Sequence, residues 1–155
     1  MDICDEIRNR DLNIKWVAQA KIDTLNLELI DNMKEAGCFC IRTGIETGSN
    51  RIIKEVKKYN GDWKKLTIEN FRHCKNAGII VDAYIILGLP NETNDDREET
   101  LEMLREAKPD FAQVHYFKPY PGSRLYDGAD KEDFNEYVYH YSCSLEEFKD
   151  TKNEI

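Results

Sequence analysis

Three times in this chain an apolar stretch rich in Ile, Val and aromatic residues gives way to a helical pattern and then to the next apolar stretch. That alternation limits the fold more than any other feature. Strands joined by helices run parallel, because a parallel pair needs a long crossover. The strands are expected at residues 13–22, 38–45, 79–87 and 111–117. Between them lie helix start and stop signals. Asn26 reads as an N-cap, Leu29, Ile30 and Met33 as a buried stripe, and Gly37 as the helix end. Residues 51–58 read as a short second helix, followed by a loop with Gly61. Thr67 reads as the next N-cap, with Phe71, Cys74 and Ala77 on the core face and Gly78 at the end. Thr93 or Asn94 opens the last crossover helix. Its first turn holds Asp95, Asp96 and Glu98, which suit the positive end of the dipole, and Leu101, Leu104 and Ala107 form its stripe. A short helix over residues 2–10 precedes the first strand.

Right-handed crossovers put every strand C-terminus on one edge. Glu46, Gly88, Glu92 and the loop 118–123 fall there, and Lys21 and Asp23 approach it from the first strand. Ligands of α/β sheets and barrels bind at this edge. Residues 40–50 are its most informative part. An apolar strand ends there in Gly44, Gly48 and Ser49 around one carboxylate, Glu46. Glycines let backbone approach a ligand closely, and a carboxylate accepts from hydroxyls. A plain strand-to-helix turn with a solvated Glu46 fits the same residues.

A net charge of −8 over 155 residues argues against a surface built for nucleic acid or an anionic membrane. No apolar run has the length of a membrane span and no leader is evident, so a cytoplasmic location is expected. The five cysteines, Cys4, Cys38, Cys40, Cys74 and Cys143, are odd in number and scattered. They read as packing thiols. Cys38 and Cys40 are expected on opposite strand faces, where one metal does not take both. Gln19 and Lys21 share one strand face, and Gln113 and His115 another. Beyond Tyr126 the chain turns polar. Phe134, Tyr137, Val138 and Tyr141 recur at helical spacing, and residues 144–147 fit a capping box for a short final helix. Two units are therefore expected, a β/α unit over residues 1–128 and a helical extension over 129–155, frayed at its end.

Several segments in order carry a family resemblance. They are Gly44-Ile45-Glu46-Thr47-Gly48-Ser49, Lys58, Gly78-Ile79, Ile86-Leu87-Gly88-Leu89-Pro90-Asn91-Glu92-Thr93, and Phe117-Lys118-Pro119-Tyr120-Pro121-Gly122-Ser123. Together they resemble the radical S-adenosylmethionine (SAM) superfamily, most of all its branch associated with cobalamin-binding domains. The resemblance covers residues 13–126. It implies an α/β fold, a partial TIM-like (β/α) barrel of four parallel strands alternating with helices, plus the C-terminal helical extension. It also implies an enzyme in which a 4Fe-4S cluster cleaves SAM to methionine and a 5′-deoxyadenosyl radical, which takes hydrogen from a substrate. The family holds that cluster with three cysteines spaced C-x-x-x-C-x-x-C. No such triplet occurs here, so no metal site is expected in this chain. The chain is then expected to be a fragment, inactive alone, with the cluster-bearing strands upstream of Met1. SAM, the cluster and, for this branch, cobalamin are the cofactors implied for the parent.

By the same resemblance, Glu46, Gly48, Ser49, Lys58, Ile86 and Gly88 are the cofactor-binding residues. Glu46 would face the SAM ribose hydroxyls, Lys58 the SAM carboxylate or ribose, and Ile86 and Gly88 the adenine. The third strand departs from the family's G-x-I-x-G-x-x-E pattern: Tyr84 replaces its first glycine, and Glu92 falls one residue late. No catalytic side chain is identified, and the substrate, small molecule or macromolecule, is unknown. Four strands do not close a barrel, so an open inner face is expected, covered by a homodimer or by the tail helix. Two other readings stay open. One is a non-catalytic half-barrel that binds SAM or a partner. The other is a piece of an unrelated (β/α) barrel enzyme.

Overall fold

The apolar stretches become strands laid side by side in chain order. The computed structural model describes residues 3–57, 59–118, 120 and 141–143. The elements are α1 (Ile3–Asn9), β1 (Trp16–Lys21), α2 (Leu27–Glu35), β2 (Cys38–Glu46), α3 (Asn50–Val56), α4 (Trp63–Asn76), β3 (Ile80–Leu87), α5 (Asn94–Ala107), β4 (Phe111–Tyr116) and β5 (Tyr141–Cys143). A 3₁₀ turn, Ile22–Thr24, links β1 to α2 and carries the exposed Asp23. Strands β1 to β4 are parallel neighbours, and β5 pairs antiparallel with β4. The partial, open β/α sheet is thus present as expected. The tail departs from expectation at Tyr141, which lies in a strand and not in a helix. Residues 121–140 and 144–155, with the expected boundary at 128, lie outside the described residues.

One sheet face meets the helices. Ile41, Ile45, Val81, Ala83, Ile85 and Val114 pack there against Ile30, Met33, Phe71, Leu101 and Leu104, and all are buried. Asn26 caps α2 by accepting from Leu29 N at 2.8 Å. Thr93 caps α5 in a reciprocal box with Asp96. Helix α4 starts earlier than its sequence suggests. Asp62 is its N-cap, accepting from Lys65 N at 3.0 Å, and Asn50 Oδ1 accepts from Trp63 N at 2.8 Å. Thr67, expected as the cap, lies inside the helix, fully buried, and its hydroxyl has no partner.

The other face is open. Register places Gln19, Arg42, Asp82 and Phe111 in one row, and Lys21, Gly44, Tyr84 and Gln113 in the next. Val17, Phe39, Ile80 and Phe111 are its exposed apolar residues. The face is more polar than expected at its middle. Asp82, only 5% exposed, accepts from Gln113 Nε2 at 2.8 and 3.0 Å and pairs with Arg42 at 3.4 Å. Two bulges interrupt β2. A regular strand turns residues i and i+2 to one face. The register shift opposite Trp16 and Val17 breaks that rule, so Cys38 follows Trp16 into the core while Cys40 follows Val17 to the open face. The second shift lies between Gly44 and Glu46.

Candidate functional site

Glu46 ends β2 at the C-terminal edge of the sheet, with a left-handed φ of 61°. That backbone folds its carboxylate back along the strand. A Cβ on Gly44 would lie 2.6 Å from Glu46 Oε1, so the carboxylate in this position rests close over a glycine. Lys57 Nζ sits 2.9 Å from Glu46 Oε1 and also donates to Gly44 O at 3.0 Å. Both side chains are mostly covered, Glu46 at 20% exposure and Lys57 at 25%. Lys57 also lies 4.9 Å from the centroid of the buried Trp63 ring, whose Nε1 donates to Ile45 O at 3.0 Å. The result is a fixed, partly exposed ion pair over a glycine floor. Its acceptor oxygens suit a pair of neighbouring hydroxyls.

Gly48 and Ser49, expected to touch a cofactor, are buried, Gly48 against the backbone of α5. A Cβ on Gly48 would meet Thr100 Cα at 2.7 Å and Glu99 O at 2.8 Å. Ser49 Oγ donates to Asp96 Oδ1 at 2.6 Å. Asp96 Oδ2 accepts from Thr93 N and Thr93 Oγ1, at 2.8 and 2.6 Å, and from Arg51 Nη2. Burial alone would raise the Asp96 pKa. The donors Arg51, Ser49 and Thr93 outweigh burial and hold it well below the usual carboxylate range.

The β3–α5 loop forms the neighbouring part of the edge. Gly88 is exposed, with a φ of 74°, and donates its N–H to Glu92 Oε2 at 2.7 Å. Arg97 Nε pairs with the same oxygen at 3.1 Å, and the Glu92 side chain is 1% exposed. Glu92 therefore closes its own loop. Ile86 is half-buried, in register with His115, and His115 stacks edge-on against Tyr84 at 5.8 Å. Lys58 lies outside the described residues. Its neighbour Lys57 makes the pair with Glu46. Sequence reasoning missed Lys57, Arg51 and Thr100. It saw Asp96 only as a charge at a helix start.

The described residues do not fit an iron–sulfur cluster. No three His, Cys, Asp or Glu side chains among them converge on a metal-sized space. Cys4, Cys38, Cys40 and Cys74 are buried, and burial pushes the Cys38, Cys40 and Cys74 thiols up, Cys74 to about 12. A cluster needs thiolates.

Comparison with known proteins gives the family. The family model for the radical SAM superfamily matches residues 2–104. An uncharacterised methyltransferase, PH0819, of Pyrococcus horikoshii is 33% identical over 129 residues, covering 83% of this chain and 28% of that protein. The anaerobic magnesium-protoporphyrin IX monomethyl ester cyclase of Rubrivivax gelatinosus is 31% identical over 149 residues, covering 90% of this chain and 26% of the cyclase. The chain thus spans about a quarter of the length of these curated relatives. Among solved structures, the radical SAM methyltransferase TsrM of Kitasatospora setae, with cobalamin and a [4Fe-4S] cluster bound, superposes with a TM-score of 0.65. It is 16% identical and covers 73% of this chain and 24% of that one.

Proposed function

This chain belongs to the radical SAM superfamily, and from that membership we propose that it supplies the SAM-binding strand edge of an enzyme in the cobalamin-associated branch. The observation that carries the reading is the Glu46 carboxylate, laid over Gly44 and oriented by Lys57 at the C-terminal sheet edge. Glu46 accepts from the two ribose hydroxyls. Lys57 fixes its direction and offsets its charge. Ile86 and Gly88 form the adjoining wall, and Glu92 keeps that wall in shape through the Gly88 N–H. Reductive cleavage of SAM is the chemistry that a bound cluster supplies in such enzymes. The described residues supply none of its ligands. Relatives named as a methyltransferase and a cyclase support methyl transfer or ring formation as the parent's reaction class. The free thiols among the described residues support a cytoplasmic parent.

The test is SAM affinity of the intact protein that carries this chain, measured anaerobically by equilibrium dialysis. Glu46→Ala is expected to weaken binding by about 1–3 kcal/mol, and Glu46→Gln by less, since an amide oxygen still accepts. Unchanged affinity in Glu46→Ala refutes the ribose role.

A further inference from the structure

We propose that Asp96 is a positioning residue for SAM: it locks the left-handed turn at Glu46 and, through Arg51, fixes that turn to the β3–α5 loop. The proposal rests on the ribose role of Glu46 given above. A residue with a Cβ pays roughly 1 kcal/mol or more to sit at positive φ, and keeps that conformation only where its surroundings over-determine it. The surroundings of Glu46 do so on the C-terminal side. Thr100 Oγ1 donates to Asp96 O at 2.9 Å, so it accepts from Thr47 Oγ1 at 3.0 Å and from Gly48 N at 2.8 Å. Thr47 Oγ1 in turn accepts from Ser49 N at 3.2 Å. Ser49 Oγ completes the chain on Asp96 Oδ1. Each of the three residues after Glu46 is therefore hydrogen-bonded, directly or through Thr100, to one turn of α5.

A helix cap does not require this much. The reciprocal box with Thr93 uses only Asp96 Oδ2. Oδ1 is left for Ser49, and Arg51 Nη2 bridges Asp96 to Asn91 O at 2.8 Å in the neighbouring loop. Asn91 is itself left-handed, with φ 60°. One buried carboxylate thus joins both loops that carry the proposed SAM contacts.

A double-mutant cycle on the intact protein tests this, read as SAM dissociation constants beside thermal unfolding midpoints. Asp96→Asn keeps the shape but has one acceptor oxygen fewer. The expected result is a loss of about tenfold in SAM affinity in the wild-type background and no further loss in Glu46→Ala. Losses that simply multiply across the cycle would show general damage and overturn the proposal. So would an Asp96→Asn variant with unchanged affinity beside a weakened Glu46→Ala, an outcome that leaves the ribose reading standing. An unchanged Glu46→Ala overturns the ribose reading and the positioning role with it. If Asp96→Asn does not fold, Ser49→Ala and Arg51→Ala run through the same cycle and decide by the same criteria.

Discussion

Gly48 tolerates no side chain. A methyl group there would overlap the backbone of Thr100 and Glu99, so Gly48→Ala is expected to cost about 3 kcal/mol in denaturant unfolding. A loss below 0.5 kcal/mol or so would mean that α5 yields freely. Asp96 makes a second prediction at this scale. Its folded pKa is depressed, so its contribution is fully present above the unfolded value and is lost as pH falls through the folded one. The stability gap between wild type and Asp96→Asn should hold from neutral pH down to about pH 4 and shrink only in stronger acid. Denaturant midpoints across that range check it, and a gap already closing near pH 6 contradicts it. Glu46 stands out in the sequence because Gly44 and Gly48 flank it. The hydrogen bonds of Asp96 do not, because its partners Ser49 and Arg51 lie 47 and 45 positions away. No local pattern reports a hydrogen bond across that distance. Lys57 was missed for another reason: three lysines within five residues, Lys54, Lys57 and Lys58, differ only in helical phase.

At the scale of elements, helix α4 separates sequence logic from structure most sharply. Thr67 looks like a cap, yet its hydroxyl is buried without a partner, while Asp62 holds the true start. Thr67→Val should therefore leave stability unchanged or raise it by about 1 kcal/mol, whereas Asp62→Ala should lower it by about 1 kcal/mol. Thermal unfolding of the two variants checks the assignment, and the reverse order would restore the cap to Thr67. The strands were readable because parallel strands buried by crossover helices are near-continuous apolar runs. The two β2 bulges were not readable. A bulge is a property of two strands in register, and the signal for it is split between residues far apart in sequence.

At the scale of the whole molecule, the open face is the unfinished part. Val17, Phe39, Ile80 and Phe111 stand exposed around the Arg42–Asp82–Gln113 group. Burying such apolar area is worth about 25 cal/mol per Å². The chain on its own is expected to self-associate through this face, and Phe111→Lys to weaken that association. Light scattering over a concentration series reads both, and a strict monomer at high concentration rejects the dimer. The half-barrel was legible from strand–helix alternation. The polar centre of its open face was not, because Arg42, Asp82 and Gln113 come from three different strands.

The cysteines give these surfaces a clock. Burial pushes the Cys74 thiol up to about 12, which keeps it protonated at neutral pH, and alkylating reagents need the thiolate. Cys38 and Cys74, sealed between sheet and helices, can be labelled only as fast as that layer opens. Cys40 was turned to the opposite face by the bulge and is buried there among its neighbours, so its labelling rate follows local opening on that side. One time course, read peptide by peptide, would thus separate breathing of the two sides of the sheet.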